Sequence, residues 1–230
     1  KDTIIKANFS KLLNEYKEAK SAGFETRPTI IGPYTFLVLA DYKSGATKDT
    51  VLSDVIVAFQ TLLKELNQLG VEWLQIEEPA LVLDQTEEEK KLFVSIYEEL
   101  LKSKNNLNIL LQTYFGDVRD SYKEIIKLDF DGIGLDFIEG RDSLALIQKY
   151  GFPKKKILFA GLVNGKNIWR NNYQKTLELL TALDEVADIV INTSCSLQHV
   201  PVTIKNETKL SKEILKHFSF ATEKLNEIDE

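Results

Sequence analysis

Two adjacent carboxylates, Glu77 and Glu78, stand directly after an apolar run and directly before Pro79. Paired carboxylates are typical of general acid and base chemistry, in which one group donates a proton and another accepts one. The residues before them, 71–76, form a predicted strand, and neighbouring strand residues point to opposite faces. Only one of the pair is therefore expected to meet a ligand. Glu77 is the candidate substrate-binding residue, and a structural hydrogen-bonding role is the alternative.

A second set of reactive groups surrounds the only cysteine of the chain, Cys195. His199 follows four residues later, and Asp136 ends another predicted strand, so the three could form an activated thiolate nucleophile. A buried free thiol that packs as a small apolar side chain is the favoured alternative. His199 precedes Pro201 and is expected as an ordinary loop residue. No catalytic residue is assigned.

Basic side chains that follow predicted strands could meet an acidic ligand. Lys166 and Arg170 come after the strand predicted for 156–162, and they are the two candidate substrate-binding cations. The lysine run 154–156 precedes that strand, so a solvated charge run at the opposite end is expected. Trp169 either packs on a partner or covers a core edge. Weaker candidates on the side of Lys166 are Arg119, Arg141 and Lys43.

Alternating apolar strands and amphipathic helices position these residues. The alternation occurs six times with a mean spacing of roughly 30 residues, close to that of a (βα)8 barrel. A doubly wound sheet alternates similarly, but no glycine-rich phosphate loop follows any strand. The sequence therefore predicts an α/β fold, an incomplete (βα)8 TIM-type barrel of about six βα units without its first two strands. Predicted strands are 28–32, 71–76, 107–112, 132–137, 156–162 and 187–193; predicted helices are 9–22, 51–69, 86–102, 117–128, 142–150, 173–183 and 207–225; residues 34–41 are predicted as an apolar loop or short segment.

Composition narrows the class of protein further. The chain has 230 residues, 43% of them hydrophobic, so a single domain over 1–230 is expected. A net charge of −6 favours neither nucleic acid nor an anionic membrane as a partner. No apolar run approaches the ~18 residues that span a bilayer, and one cysteine fits a reducing compartment, so the cytoplasm is expected. The chain has no methionine, even at position 1, which predicts a fragment or a processed product.

Five short segments, spread over nearly the whole chain, carry a family resemblance. They are GPYTF at 32–36, QIEEPAL at 75–81, LQTYFGD at 111–117, GLVNGKNIWR at 161–170 and SCSLQHVP at 194–201. Each segment alone is a weak signal, but the ordered combination is specific. In these segments the chain resembles the cobalamin-independent methionine synthases, and more narrowly their N-terminal half.

The resemblance implies an enzyme of two (βα)8 barrels that moves a methyl group from 5-methyltetrahydrofolate-polyglutamate to homocysteine. It also implies a zinc ion that activates homocysteine, with its ligands in the C-terminal barrel of the same polypeptide. The N-terminal barrel of the family helps to hold the glutamate tail, largely through basic residues upstream of Lys1. The chain is thus expected to be a non-catalytic scaffold for the cleft between the barrels.

The resemblance also allows the two halves of the family to be compared. Where the catalytic half has a His-x-Cys zinc pair, this chain has Leu111 and Thr113. Asp136 stands at the place of a ligating Glu, and Cys195 at the place of a ligating Cys. A catalytic zinc site needs three protein donors. This chain is therefore expected to bind no zinc.

Two other functions stay open. A self-sufficient TIM-barrel methyltransferase or decarboxylase would use Glu77, Asp136 and Cys195 as its own active centre. A non-enzymatic, barrel-derived binding module is the other. An incomplete barrel leaves two sheet edges with unpaired backbone groups, so self-association through those edges is also expected.

Overall fold

The computed structural model describes residues 6–43 and 45–229, and over that part of the chain strands alternate with helices in an α/β fold. The first residues, which include Lys1 and bear on the expectation of a fragment, lie outside the described residues. Among the described residues, no helix is long and apolar enough to cross a membrane. The strands are β1 (Thr29–Ile31), β2 (Trp73–Glu77), β3 (Asn108–Gln112), β4 (Gly132–Asp136), β5 (Ile157–Val163) and β6 (Asp188–Thr193). The α-helices are α1 (Ser10–Ser21), α2 (Pro33–Leu39), α3 (Lys48–Gln68), α4 (Glu87–Leu100), α5 (Tyr122–Ile125), α6 (Ser143–Tyr150), α7 (Tyr173–Asp184), α8 (Lys212–Leu215) and α9 (Ala221–Asp229).

The strand order distinguishes the two α/β architectures that the sequence allowed. The strands follow the order β1-β2-β3-β4-β5-β6. A doubly wound sheet reverses its order at a switch point, whereas a TIM-type barrel keeps the order of the sequence. The sequential order confirms the predicted TIM-type α/β fold with six strand–helix units.

The described chain divides into two compact units. Unit 1 comprises the described residues up to 112 together with 120–132, and unit 2 comprises 113–119 together with the described residues from 133 onward. Unit 1 contains β1 to β3. Unit 2 contains β5, β6 and all of β4 except its first residue.

In unit 1, β2 pairs in parallel with both β1 and β3. The helices α3 and α4 bury their apolar stripes in this unit, and Leu62, Phe93 and Tyr97 are inaccessible to solvent. The N-terminus of α4 carries a capping box, in which the Thr86 hydroxyl accepts from the Glu89 N–H and the Glu89 carboxylate accepts from the Thr86 N–H. Such reciprocal bonds satisfy two donors that a helix start leaves open.

In unit 2, β5 pairs in parallel with β6, with an irregularity between Gly161 and Val163. Six of the seven residues of β5 are buried, as the continuous apolar run predicts for a strand covered on both faces. Gly161 allows close approach, since a Cβ there would lie 2.8 Å from the Cα of Ser194.

Three predicted segments were wrong, and in the first and the third a distant contact decides the local structure. Residues 33–39 form a helix, since Pro33 occupies its first position and the carboxylate of Glu78, just after β2, accepts the N–H groups of Tyr34 and Thr35. Only 122–125 of the segment 117–128 is α-helical, and Asp117 forms an ion pair with Arg119 instead of capping a helix. The segment 207–225 is not one helix, since Phe218 leaves the helical path to bridge the backbone of Trp169.

Candidate functional site

The two carboxylates that end β2 in unit 1 have different surroundings. Glu77 is partly exposed, and its Oε1 accepts a hydrogen bond from Nε2 of Gln75 at 2.9 Å. Glu78 is 0% exposed. Its Oε1 accepts from the Tyr34 N–H at 3.0 Å, and its Oε2 accepts from the Thr35 N–H at 2.6 Å. The Tyr97 hydroxyl also donates to Oε1, so Glu78 fastens α2 and α4 to the end of β2.

A glycine makes room for the Glu78 carboxylate. A Cβ on Gly32 would lie only 2.0 Å from Oε1 of Glu78, so no larger residue fits this backbone without displacing the carboxylate. Burial raises the pKa of Glu78 to about 7, and the donors from Thr35, Tyr97 and Tyr34 oppose that rise. Glu77 and Glu78 therefore do not form a general acid and base pair, because the Glu78 carboxylate is buried among its hydrogen-bond donors.

The raised pKa predicts a pH-dependent stability. Because the pKa of Glu78 rises from 4.5 to about 7, folding takes up a proton between those values. The stabilisation that the protonated Glu78 gives to the folded state is complete below pH 4.5 and is lost as the pH rises through 7. Between pH 5 and pH 8 we expect the free energy of unfolding to fall by about 2 kcal/mol from this group. Urea unfolding of the wild type and of Glu78→Gln measures this, since glutamine cannot titrate. Equal pH slopes in the two proteins would contradict the assignment.

In unit 2, Asp136 ends β4 and is 1% exposed. Its Oδ1 accepts from the N–H groups of Ile138 and Glu139 at 2.8 and 2.9 Å, and its Oδ2 accepts from the Phe115 N–H at 3.0 Å. Burial raises the pKa of Asp136, and these three donors oppose the rise. The carboxylate therefore holds two loops in place, the one after β4 and the one that carries Phe115.

Cys195 follows β6 and is buried. Burial raises the pKa of its thiol, and the carboxylates of Asp136 and Glu139 add to the rise. A thiol in such surroundings stays protonated and is a poor nucleophile. The ring of His199 packs edge-on against Phe115, with 5.4 Å between the ring centroids. The groups of the Cys-His-Asp hypothesis lie in one unit, but their environment suits packing better than thiolate chemistry.

The zinc that the family resemblance implies can be tested against these side chains. Both oxygens of Asp136 already accept backbone N–H groups. The Thr113 hydroxyl donates to the carbonyl of Gly134 at 2.9 Å, and Leu111 offers no donor atom. Zinc takes three or four N, S or O ligands. This donor set does not fit a zinc site. Within the described residues no group of three His, Cys, Asp or Glu side chains is arranged to hold a metal ion.

The two candidate substrate-binding cations differ in their surroundings. Lys166 is exposed, and its Nζ lies 2.8 and 2.9 Å from the two carboxylate oxygens of Glu139. That hydrogen bond raises the pKa of Lys166. Its ammonium also lies 5.2 Å from the ring centroid of Phe115. Arg170 is exposed, and no carboxylate of the described chain lies within ion-pair distance of it.

Arg170 belongs to a further cluster that sequence reasoning missed. A cavity of about 230 Å³ in unit 2 is lined by Arg170, Lys175, Lys224 and several asparagines. Lys224 is 0% exposed. The signal was present in the sequence, because Phe220, Lys224 and Glu227 have the i, i+4, i+7 spacing of one helical face. A lysine such as Lys224 on the same helical face as a buried phenylalanine is a candidate functional residue.

Comparison with known proteins gives the family. The family model described as "Cobalamin-independent synthase, N-terminal domain" matches residues 1–188. Two curated relatives are named 5-methyltetrahydropteroyltriglutamate–homocysteine methyltransferase. The protein of Lactococcus lactis subsp. cremoris (strain MG1363) is 75% identical over 230 residues, and that of Streptococcus suis (strain 05ZYH33) is 50% identical over 228 residues. The matches cover 100% and 99% of this chain, respectively. The chain spans only 30% of the length of each relative.

A solved structure shares the fold. The B12-independent methionine synthase from Shewanella sp. W3-18-1, solved in complex with selenomethionine, superimposes with a TM-score of 0.68. The superposition covers 98% of this chain and 65% of that one, at 15% sequence identity, so it speaks to the fold alone. From the family model and the sequence identities, the chain belongs to the cobalamin-independent methionine synthase family, as part of the N-terminal domain.

Proposed function

We propose that the chain, as a single domain over 1–230, is most of the N-terminal barrel of a two-barrel methyltransferase. That enzyme would move the methyl group of 5-methyltetrahydrofolate-polyglutamate to homocysteine and so make methionine. The names of the relatives support the reaction, and their greater length supports a C-terminal barrel in the same polypeptide as the partner. This chain would form one wall of the cleft between the barrels and perform no chemistry.

One observation supports the non-catalytic role most strongly. The reactive groups at the strand ends are either hydrogen-bonded to the backbone or buried. The carboxylates of Glu78 and Asp136 each accept at least two backbone N–H groups. The Cys195 thiol is buried and has a raised pKa. A catalytic acid, base or nucleophile must reach a substrate atom. We therefore assign the zinc ion and the homocysteine to the partner barrel.

Substrate contacts in this chain would come from Glu77, Lys166 and Arg170. Arg170 is the strongest of the three for an acidic glutamate tail, because no carboxylate within the described residues neutralises it. Lys166 would have to exchange its ion pair with Glu139 for one with the substrate. Glu77 carries a negative charge, so it would meet a hydrogen-bond donor of the substrate and not its glutamate tail.

A substitution at Cys195 tests the non-catalytic role. In the complete polypeptide encoded by the gene, Cys195→Ala should leave kcat for homocysteine methylation within about twofold of the wild type, and bound zinc should be unchanged. Ser196→Ala, at the exposed neighbouring position, is the matched control. A fall in kcat of tenfold or more, with an unchanged thermal unfolding curve, would refute the proposal.

The self-sufficient enzyme predicts a different outcome. Under that alternative, the 230-residue chain alone would methylate homocysteine and bind zinc. Under our proposal, the chain alone has neither property, and activity needs the C-terminal barrel. Metal analysis and a methyl-transfer assay on the purified chain separate the two functions.

A further inference from the structure

The cavity of about 230 Å³ in unit 2 has an unusual charge balance. It lies beside the residues that follow β5 and beside the N-terminus of the twelve-residue helix α7. Three cationic side chains, Arg170, Lys175 and Lys224, line it, and no carboxylate does. The dipole of α7 adds partial positive charge at the same end. Among the described residues that line the cavity, positive charge is therefore not balanced by a carboxylate.

Four asparagines add hydrogen-bond donors to the lining. The Oδ1 of Asn164 accepts from the N–H groups of Lys166 and Asn167, both at 2.9 Å. The Oδ1 of Asn167 accepts from the Trp169 N–H at 3.1 Å, and that of Asn172 accepts from the Lys175 N–H at 3.2 Å. A backbone N–H can only donate, so each amide must turn its oxygen to the protein. The NH₂ groups of these three side chains have no partner elsewhere in the described chain.

The fourth amide shows the same pattern in a buried position. The Oδ1 of Asn171 accepts from the Thr176 hydroxyl at 3.0 Å, while its Nδ2 is buried and has no partner among the described residues. A buried donor without a partner costs about 1–3 kcal/mol, so such groups call for an explanation. A ligand that supplies acceptor atoms would satisfy it.

Lys224 reaches the same cavity from α9. Its Nζ donates to the carbonyl of Trp169 at 3.0 Å and lies 3.5 Å from Oδ1 of Asn167. Glu227, one turn further along α9, uses its Oε1 to accept from the Asn171 N–H, and it forms no ion pair with Lys224. Burial lowers the pKa of Lys224. The nearby carboxylate of Glu227 opposes that fall, although it forms no ion pair with Lys224. Oε2 of Glu227 is itself buried without a partner among the described residues. An anion in the cavity would stabilise the buried ammonium further.

We propose that this cavity binds a small oxyanion, a single carboxylate or phosphate group. Lys224, Arg170 and Lys175 supply charge, and the amide NH₂ groups of the four asparagines supply directed donors. A volume of about 230 Å³ has room for one oxyanion with a few attached atoms. Drug-sized ligands need larger sites. Arg170 is also the proposed contact for the glutamate tail, so the carboxylate reading rests on the proposed function, whereas the phosphate reading rests on the geometry of unit 2 alone.

The test measures anion binding by the complete polypeptide encoded by the gene. Inorganic phosphate and L-glutamate are titrated at constant ionic strength, with chloride as the balancing salt, by calorimetry and by thermal unfolding. The phosphate arm and the glutamate arm show which oxyanion the site prefers. Because other parts of a longer polypeptide could bind anions as well, the informative quantity is the change caused by substitutions around the cavity.

Two variants target the site without touching a buried group. Arg170→Gln combined with Lys175→Gln removes two exposed charges, and we expect about a tenfold or greater loss of affinity for the preferred anion. Asn172→Asp keeps a good N-cap for α7 but replaces the NH₂ donor by a charged oxygen, so it should abolish binding. Lys154→Gln combined with Lys155→Gln removes two exposed charges of the same unit elsewhere and should leave affinity unchanged. Wild-type affinity in both site variants, or an equal loss in the control, would overturn the proposal.

Discussion

Replacing Glu78 with alanine should lower the free energy of unfolding by about 5 kcal/mol. The substitution leaves two backbone N–H groups, those of Tyr34 and Thr35, and the Tyr97 hydroxyl without an acceptor in a site closed to solvent. Each buried donor that loses its partner costs about 1–3 kcal/mol. Since single domains are stable by about 5–15 kcal/mol, this loss is between a third and the whole of the stability. Circular dichroism during urea titration measures the loss.

Two matched variants give this prediction its control. Tyr97→Phe removes one donor and leaves the carboxylate with its two backbone partners, so it should cost about 1–2 kcal/mol. Glu77→Ala removes the neighbouring, partly exposed carboxylate and should cost less than about 1 kcal/mol. If Glu78→Ala proved no more destabilising than Tyr97→Phe, Glu78 would not be the residue that fixes the start of α2.

The strands and most helices could be predicted because local patterns determine them. Each of β1 to β6 overlaps its predicted segment, since short apolar runs between turn residues need no distant information. The helix α2 was missed for the opposite reason. Its start is stabilised by Glu78, which is 44 and 43 positions away from the two N–H groups that it accepts. A sequence window around 33–39 contains only an apolar segment after a proline.

The candidate site residues also divide into those that local sequence patterns indicate and those that depend on distant contacts. Lys166 and Arg170 were predicted as candidates because both follow a predicted strand, a rule that uses local order alone. Lys224 was missed because its ammonium reaches the backbone of Trp169, 55 residues away. Strand alternation indicated that Glu77 and Glu78 have different surroundings, but only the structure shows that Glu78 is the fully buried one.

Replacing Asp136 with alanine should lower the free energy of unfolding by about 3 kcal/mol. Three backbone N–H groups, on Phe115, Ile138 and Glu139, lose their acceptor. The cost per group is at the lower end of the usual range because Phe115 and Glu139 are exposed and Ile138 is only partly buried. Thermal unfolding of the variant in the complete polypeptide measures the effect.

Asp136→Asn separates a structural carboxylate from a catalytic or metal-binding one. The asparagine oxygen can still accept from Ile138 and Glu139, and only the bond from Phe115 is lost, so stability should fall by about 1 kcal/mol. A general base or a zinc ligand depends on the negative charge, which asparagine lacks. If Asp136 is structural, Asp136→Asn should keep the kcat and the zinc content of the wild type. A large fall in either, in a protein that remains folded, would place chemistry in this chain and favour the self-sufficient enzyme.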